Sequence, residues 1–154
     1  MKVEWINPFI RAASHVLGEA VAFDRPQLGP IELQEKPYTT EEVTAMLGIS
    51  GVLFGSVLLG MTDAVAQQIV DRMVGQSVSF NEQLGESALG EVLNMISGSA
   101  LRFLESAGYA CNITPPVVIR GKGAVVSTME RQRLVVPIQF PGAELLLSVA
   151  LRQA

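Results

Sequence analysis

Apolar positions change their spacing several times along the chain, and each change marks an element. Ile10, Ala13, Leu17, Ala20 and Val21 recur at helical spacing. This stripe predicts a first helix that faces a sheet and ends before Pro26. Asn7 is its expected cap, with Pro8 at the first helical position, where a missing N–H costs nothing. Between Gly29 and Met61 the pattern shortens to apolar runs at 31–35, 43–49 and 52–59, which predict three strands joined by polar or glycine-containing turns. Thr62 and Asp63 then open a short second helix, with Ala66, Ile69, Val70 and Met73 on one side and Gly75 just beyond its end. A polar loop through Ser79 and Asn81 leads to the longest helix, about 82–107, stopped at Gly108. Cys111 then begins a strand, and runs at 117–119, 124–127, 134–140 and 145–151 are rich in Val, Ile and Leu. Pro141-Gly142 marks the turn between the last two, and Pro137 points to an edge or a bulge.

Direct strand-to-strand turns imply antiparallel pairing, so this order predicts an α+β fold: a mainly antiparallel sheet with two long helices and one short one. A length of 154 residues, 49% of them hydrophobic, fits a single domain over 1–154 with a core of its own. The stretch 43–62 carries no charge and is about long enough to span a bilayer. Glycines and serines interrupt it, its flanks are Glu41, Glu42 and Asp63, and Ser50-Gly51 divides it, so it reads as two buried strands and not as a membrane segment.

Charge and cysteine content narrow the function. A net charge of -4 and a pI near 5.0 argue against a nucleic-acid partner, which calls for clustered Lys and Arg. The single cysteine, Cys111, can form no intramolecular disulfide, and the first residues lack the features of a secretory signal; a cytoplasmic protein is expected.

The longest helix carries the most informative surface. At about 100° per residue, Leu89, Val92, Leu93, Ile96, Ala100, Phe103, Leu104 and Ala107 share one sector, the expected core face. Glu91 and Asn94 project on the opposite side, with Ser87 one turn before and Gly98 one turn after. Gly90, Asn94 and Gly98 each cost the helix roughly 0.7 to 1 kcal/mol relative to Ala, so helix stability did not select them. One reading is that the glycines let another molecule's backbone approach and receive the Asn94 carboxamide. The other is a small-residue stripe against which a second helix packs, with Glu91 solvated at its rim.

Ser87-Ala88-Leu89-Gly90-Glu91-Val92-Leu93-Asn94-Met95, with 21 residues between Asn94 and Pro116, resembles the signature of the CheC/CheX/FliY phosphatases, [Asp/Ser]-x3-Glu-x2-Asn followed by a distant proline. The segments 49–56 and 113–116 are similar to CheX sequences as well, and the resemblance extends over nearly the whole chain. It implies a phosphatase for the phosphoaspartate of a CheY-like response regulator, in chemotaxis or related two-component signalling. Asn94 would orient the attacking water, and Glu91 would pair with the lysine by which the regulator holds its phosphoryl group. Ser87, Gly90 and Gly98 would shape the partner-binding surface. The regulator supplies Mg²⁺, carboxylates and lysine, so no cofactor of the chain's own is expected. CheX relatives form homodimers through sheet edges, and a homodimer is expected here too. The alternative is a noncatalytic regulator-binding or scaffolding module of the same fold.

Relatives of the CheC type carry two such helices, but Glu4-Trp5-Ile6-Asn7 is expected to precede the first helix, which leaves one active site per chain. His15 falls on the polar side of that helix without a companion ligand, Cys111 reads as a small core residue, and Gly121-Lys122-Gly123 as a hairpin turn. Met46, Met61, Met73, Met95 and Met129 are expected to pack.

Overall fold

The structure, a computed structural model, describes residues 1–128, 130 and 132–153; Met129 therefore lies outside the described residues. The chain runs α1 (Val3–His15), a π-helical turn (Val16–Ala20), β1 (Gln27–Leu28), β2 (Glu32–Gln34), β3 (Tyr38–Thr39), β4 (Val43–Gly51), β5 (Leu53–Met61), α2 (Asp63–Met73), α3 (Gln83–Ser106), β6 (Cys111–Ile113), β7 (Val117–Arg120), β8 (Val125–Val126), β9 (Arg133–Phe140) and β10 (Ala143–Gln153). The expected strands are present, and two short ones, β1 and β3, join them.

Every pairing is antiparallel, in the order β1-β9-β10-β5-β4-β6, with β2 also on β9 and β7 also on β4; β3 and β8 form a separate ribbon. Alternate residues of the long strands, among them Ala45, Leu47, Val57, Leu59, Leu147 and Val149, join the three helices in one core. On the opposite face Thr44, Ser56, Leu58 and Ser148 are also buried. Part of that face lies beside the ribbon, where Tyr38 bonds to Thr44 and sits under the Arg133 guanidinium, 5.5 Å from the ring centre. Burial raises the pKa of the Tyr38 hydroxyl and lowers that of Arg133, since each loses hydration of its charged form.

The uncharged stretch 43–62 forms the strands β4 and β5, which turn at Gly51 and Val52. Gly51 has φ +125°, and a Cβ there would lie 2.7 Å from the Ala110 carbonyl oxygen, so glycine is required both by conformation and by space. Among the described residues no helix is long and apolar enough to cross a membrane. Pro137 pairs with Leu146 of β10 on one side, while on the other its carbonyl accepts a hydrogen bond from Gly29 N at 2.8 Å. With no N–H to offer outward, the outer ladder breaks there into β1 and β2; β9 is paired on both sides, so Pro137 sits at a gap in a ladder and not on the sheet edge expected of it.

The start of the first helix differs from expectation. It begins at Val3, so Asn7 is not its cap and Pro8 lies inside it. An interior proline costs about 3 kcal/mol. Burial of Trp5, Ile6 and Phe9 offsets this at roughly 1.5 to 3 kcal/mol per large apolar side chain, so tertiary contacts extend the helix past its local signal. Glu4 and Asn7 consequently lie on the helix rather than before it. Ala20, expected in the buried stripe, is exposed because it lies in the π-helical turn, which alters the helical phase. Gly121-Lys122-Gly123 is a turn, yet it hands the chain from β7 on the sheet to β8 in the ribbon instead of closing a hairpin.

Candidate active site

α3 ends as its sequence suggests, with Gly108 at φ +96° and Tyr109 N bonded to the Leu104 carbonyl at 2.8 Å. Its core face is also largely as expected: Leu89, Val92, Leu93, Ile96, Ala100 and Leu104 are buried. Phe103 and Ala107 are not; both are exposed, Phe103 beside α1, where it lines an open groove with Arg11 and His15.

What fixes the opposite face of α3 is the crossing between β6 and β7. Ile113 pairs with Ile49 and Val117 with Met46, so three residues, Thr114 to Pro116, oppose only two on β4, a bulge. Thr114 fastens it: its N–H donates to the Gly48 carbonyl at 2.9 Å, and its Oγ1 accepts from Gly48 N at 2.8 Å. The extra residue carries Pro116 to α3 at Gly90, where an added Cβ would stand 3.1 Å from the proline Cγ. Gly90 is buried. Its missing side chain is thus filled by the chain's own proline, which corrects the expectation that this glycine clears space for a partner.

This contact holds the helical turn of Glu91 and Asn94 against β7. Ser87, Gly90, Glu91, Asn94 and Pro116 line one open groove of about 530 Å³, together with Gln83, Glu86, Val117 and Val118. Glu91 and Ser87 are exposed and Asn94 is half-buried. Neither Glu91 nor Asn94 has a side-chain ion pair or hydrogen bond within the described residues, so both polar ends remain available to another molecule. Gly98 is set apart: it does not line the groove, and an added Cβ there would meet open space.

The rim includes residues that sequence reasoning did not single out. Glu86 pairs with Arg120 of β7 at 2.9 Å, and Arg120 Nη1 also donates to the Asn81 carbonyl at 3.4 Å, which ties the entry loop of α3 to the sheet. Gln83 could have been found by continuing the polar stripe one turn before Ser87; the Glu86–Arg120 pair has no local signal. Among the described residues no histidine, cysteine, lysine or arginine lines the groove. Among the described residues no cluster of three or more His, Cys, Asp or Glu could hold a metal ion. The groove therefore presents a carboxamide and a carboxylate on a rigid helix, suited to positioning a reaction whose reactive groups arrive on a partner.

Other sites fall as follows. His15 is exposed, and Cys111 is half-buried with Sγ 4.0 Å from the Leu53 carbonyl oxygen. Met61 is buried, and Met73 and Met95 pack partly buried against the core.

Residues 43–139 match the family described as chemotaxis phosphatase CheX. The chain is 29% identical over 120 residues to the CheY-P phosphatase CheX of Thermotoga maritima, a match covering 73% of this chain and 77% of that one. The fold is similar to the crystal structure of a CheX from Desulfovibrio desulfuricans, with a TM-score of 0.86 and 28% identity over 97% of this chain and 100% of the other. It is also similar to a chain of the CheX–CheY–BeF3–Mg²⁺ complex from Borrelia burgdorferi, with a TM-score of 0.83 and 25% identity over 99% and 100% of the two chains. With more than half of its length matched by the family, the chain belongs to the CheX family of chemotaxis phosphatases.

Proposed function

We propose that this chain hydrolyses the phosphoaspartate of a CheY-like response regulator, in chemotaxis or a related two-component pathway, by setting Asn94 into the regulator's phosphorylation cleft. The observation that carries the reading is the groove in which Asn94 and Glu91, free of internal partners, stand on a helical turn held by Pro116. The relatives named above support it.

In the proposed step the Asn94 carboxamide binds a water in line with phosphorus. The water oxygen forms the new P–O bond, the bond to the aspartyl carboxylate breaks, and the water's protons leave with inorganic phosphate and solvent. An acyl phosphate is already reactive, so orientation suffices and no nucleophile of the chain's own is needed. The Glu91 carboxylate pairs with the lysine that holds the phosphoryl group in the regulator, which fixes the docked geometry. Any Mg²⁺ belongs to the regulator and there offsets phosphoryl charge. Ser87 and Gly98 flank the pair along α3 and belong to the docking surface.

The same reading covers the remaining properties. The chain acts as one cytoplasmic domain with one active site. A second copy pairs at the β1/β2 edge, where Leu28, Ile31 and Leu33 are exposed on and between the outermost strands. Sedimentation of wild type and Leu33→Lys tests the pairing, and an unchanged mass in the variant removes it.

The central test follows phosphate loss from purified phospho-CheY, and from other regulators of the same cell, with wild type and Asn94→Ala. Accelerated decay that disappears in the variant is expected. Tight binding of the phosphorylated regulator without accelerated decay would instead make the chain a docking module.

A further inference from the structure

A second groove runs beside the catalytic stripe, between α1 and α3, with a volume of about 460 Å³. It is lined by Arg11 and His15 from α1 and by Ser99, Arg102, Phe103 and Ser106 from α3. Among the described residues no carboxylate lines it, although the protein as a whole carries a net charge of -4. Among the described residues, neither Arg11 nor Arg102 stands within ion-pair distance of a carboxylate. Phe103 is 57% exposed although an apolar side chain of this size is usually buried. Two exposed, unpaired arginines beside an exposed aromatic ring match the composition of protein contact surfaces.

Its position relative to Asn94 decides the occupant. Arg102 follows Asn94 by eight residues, about 12 Å along the helix axis and roughly 80° around it, toward α1. A partner that covers about 800 Å² of this chain contacts a patch of roughly 16 Å radius. A partner whose footprint is centred on Asn94 reaches Arg102 and the mouth of this groove. A phosphorylation cleft is built of carboxylates and bears a phosphoryl group, and acidic groups at its margin would complement the two arginines.

We infer that Arg11, Arg102 and Phe103 form a second docking contact for the same phosphorylated regulator, receiving carboxylates on the surface that flanks its phosphorylation cleft. This rests on the phosphatase reading and adds a surface to it. The arginines steer and retain the partner, while Phe103 gives an apolar contact between them. None of the three touches the reacting atoms, so they act on encounter and residence and leave the chemical step to Asn94.

The test compares wild type, Arg11→Glu/Arg102→Glu and Arg11→Lys/Arg102→Lys in steady-state turnover of a phospho-regulator over a range of salt. Charge reversal is expected to raise KM by roughly tenfold or more, to keep kcat within about twofold, and to flatten the dependence of kcat/KM on ionic strength. The lysine variant should stay near wild type in KM, because its charge is kept. Unchanged KM and salt dependence on charge reversal would overturn the inference, as would a loss confined to kcat. Conversion of a wild-type dimer to monomer by charge reversal, read by sedimentation, would assign the groove to a second copy of this chain and overturn it too. If wild type hydrolyses no phospho-regulator, the phosphatase reading fails separately. Binding of the beryllofluoride-activated regulator then decides the docking contact: about tenfold weaker binding on charge reversal supports it, and unchanged binding ends it.

Discussion

The chain carries the Glu-x-x-Asn spacing on two helices, and the two pairs have different neighbours. On α1, Glu4 accepts a hydrogen bond from the Tyr109 hydroxyl at 2.9 Å and lies 3.9 Å from the Lys2 ammonium, while Trp5 packs edge-on against Tyr109. On α3, Glu91 and Asn94 keep free ends, and Pro116 braces their turn through Gly90. Both pairs put two polar groups on one helix face, as three-residue spacing must. What separates them is whether the rest of the fold uses those groups. The carboxylate of the first pair is engaged at the surface by Tyr109 and Lys2 of the same chain, and that of the second faces an open groove.

The sharpest way to break this contrast is to truncate each amide in turn. Asn94→Ala is expected to lower kcat toward a phospho-regulator by at least about a hundredfold, the usual cost of losing a positioning group in the transition state, with an unchanged melting temperature. If turnover survives, the α3 pair holds no privilege over the α1 pair. Glu91→Ala should mainly raise KM, by roughly tenfold, because it removes one desolvated charge pair with the partner; a loss in kcat alone would move Glu91 from docking to chemistry. Gly90→Ala tests the brace itself. Alanine favours the helix by about 1 kcal/mol, whereas crowding Pro116 costs about 1 to 3 kcal/mol, so the net loss of stability is at most about 2 kcal/mol. The displaced turn should nevertheless lower kcat a few-fold, since small misplacements of positioning groups are costly. Single-turnover kinetics beside thermal unfolding separates the two effects, and an unaltered kcat would show that the brace does not set the geometry.

The uneven legibility of the two pairs has a physical cause. α3 was readable because its signals agree: the apolar sector, the stop at Gly108 and costly residues on the outer face all point to one long helix with a functional side. The strands were readable for the same reason, and Pro137 marked where the outer ladder breaks. The start of α1 was not, because Asn7-Pro8 is a strong local cap signal that burial of Trp5 and Ile6 overrides. Gly90 stands out in the sequence as an expense, but only the bulge at Thr114 to Pro116 reveals what fills the space, and that contact joins segments distant in sequence. Phe103 falls in the core sector by its angle on the helix, yet helical phase does not say whether a neighbour reaches that far along the axis.

The smallest effect tests the other side of the contrast. Tyr109→Phe removes the hydroxyl that engages Glu4 and keeps the ring that packs on Trp5. Glu4 is largely exposed, with its side chain at 58%, so the loss in stability should be only about 0.5 kcal/mol after solvent screening. If engagement is what silences the α1 pair, freeing Glu4 exposes a second carboxylate beside Asn7. Turnover should still not rise, because Val3 stands before Glu4 where Gly90 precedes Glu91, and Pro8 follows Asn7 directly. Phosphate release by Tyr109→Phe is therefore expected to match wild type, and Asn7→Ala should leave it unchanged in either background. An increase that Asn7→Ala abolishes would show that a free Glu-x-x-Asn pair is sufficient and that the Pro116 brace is dispensable.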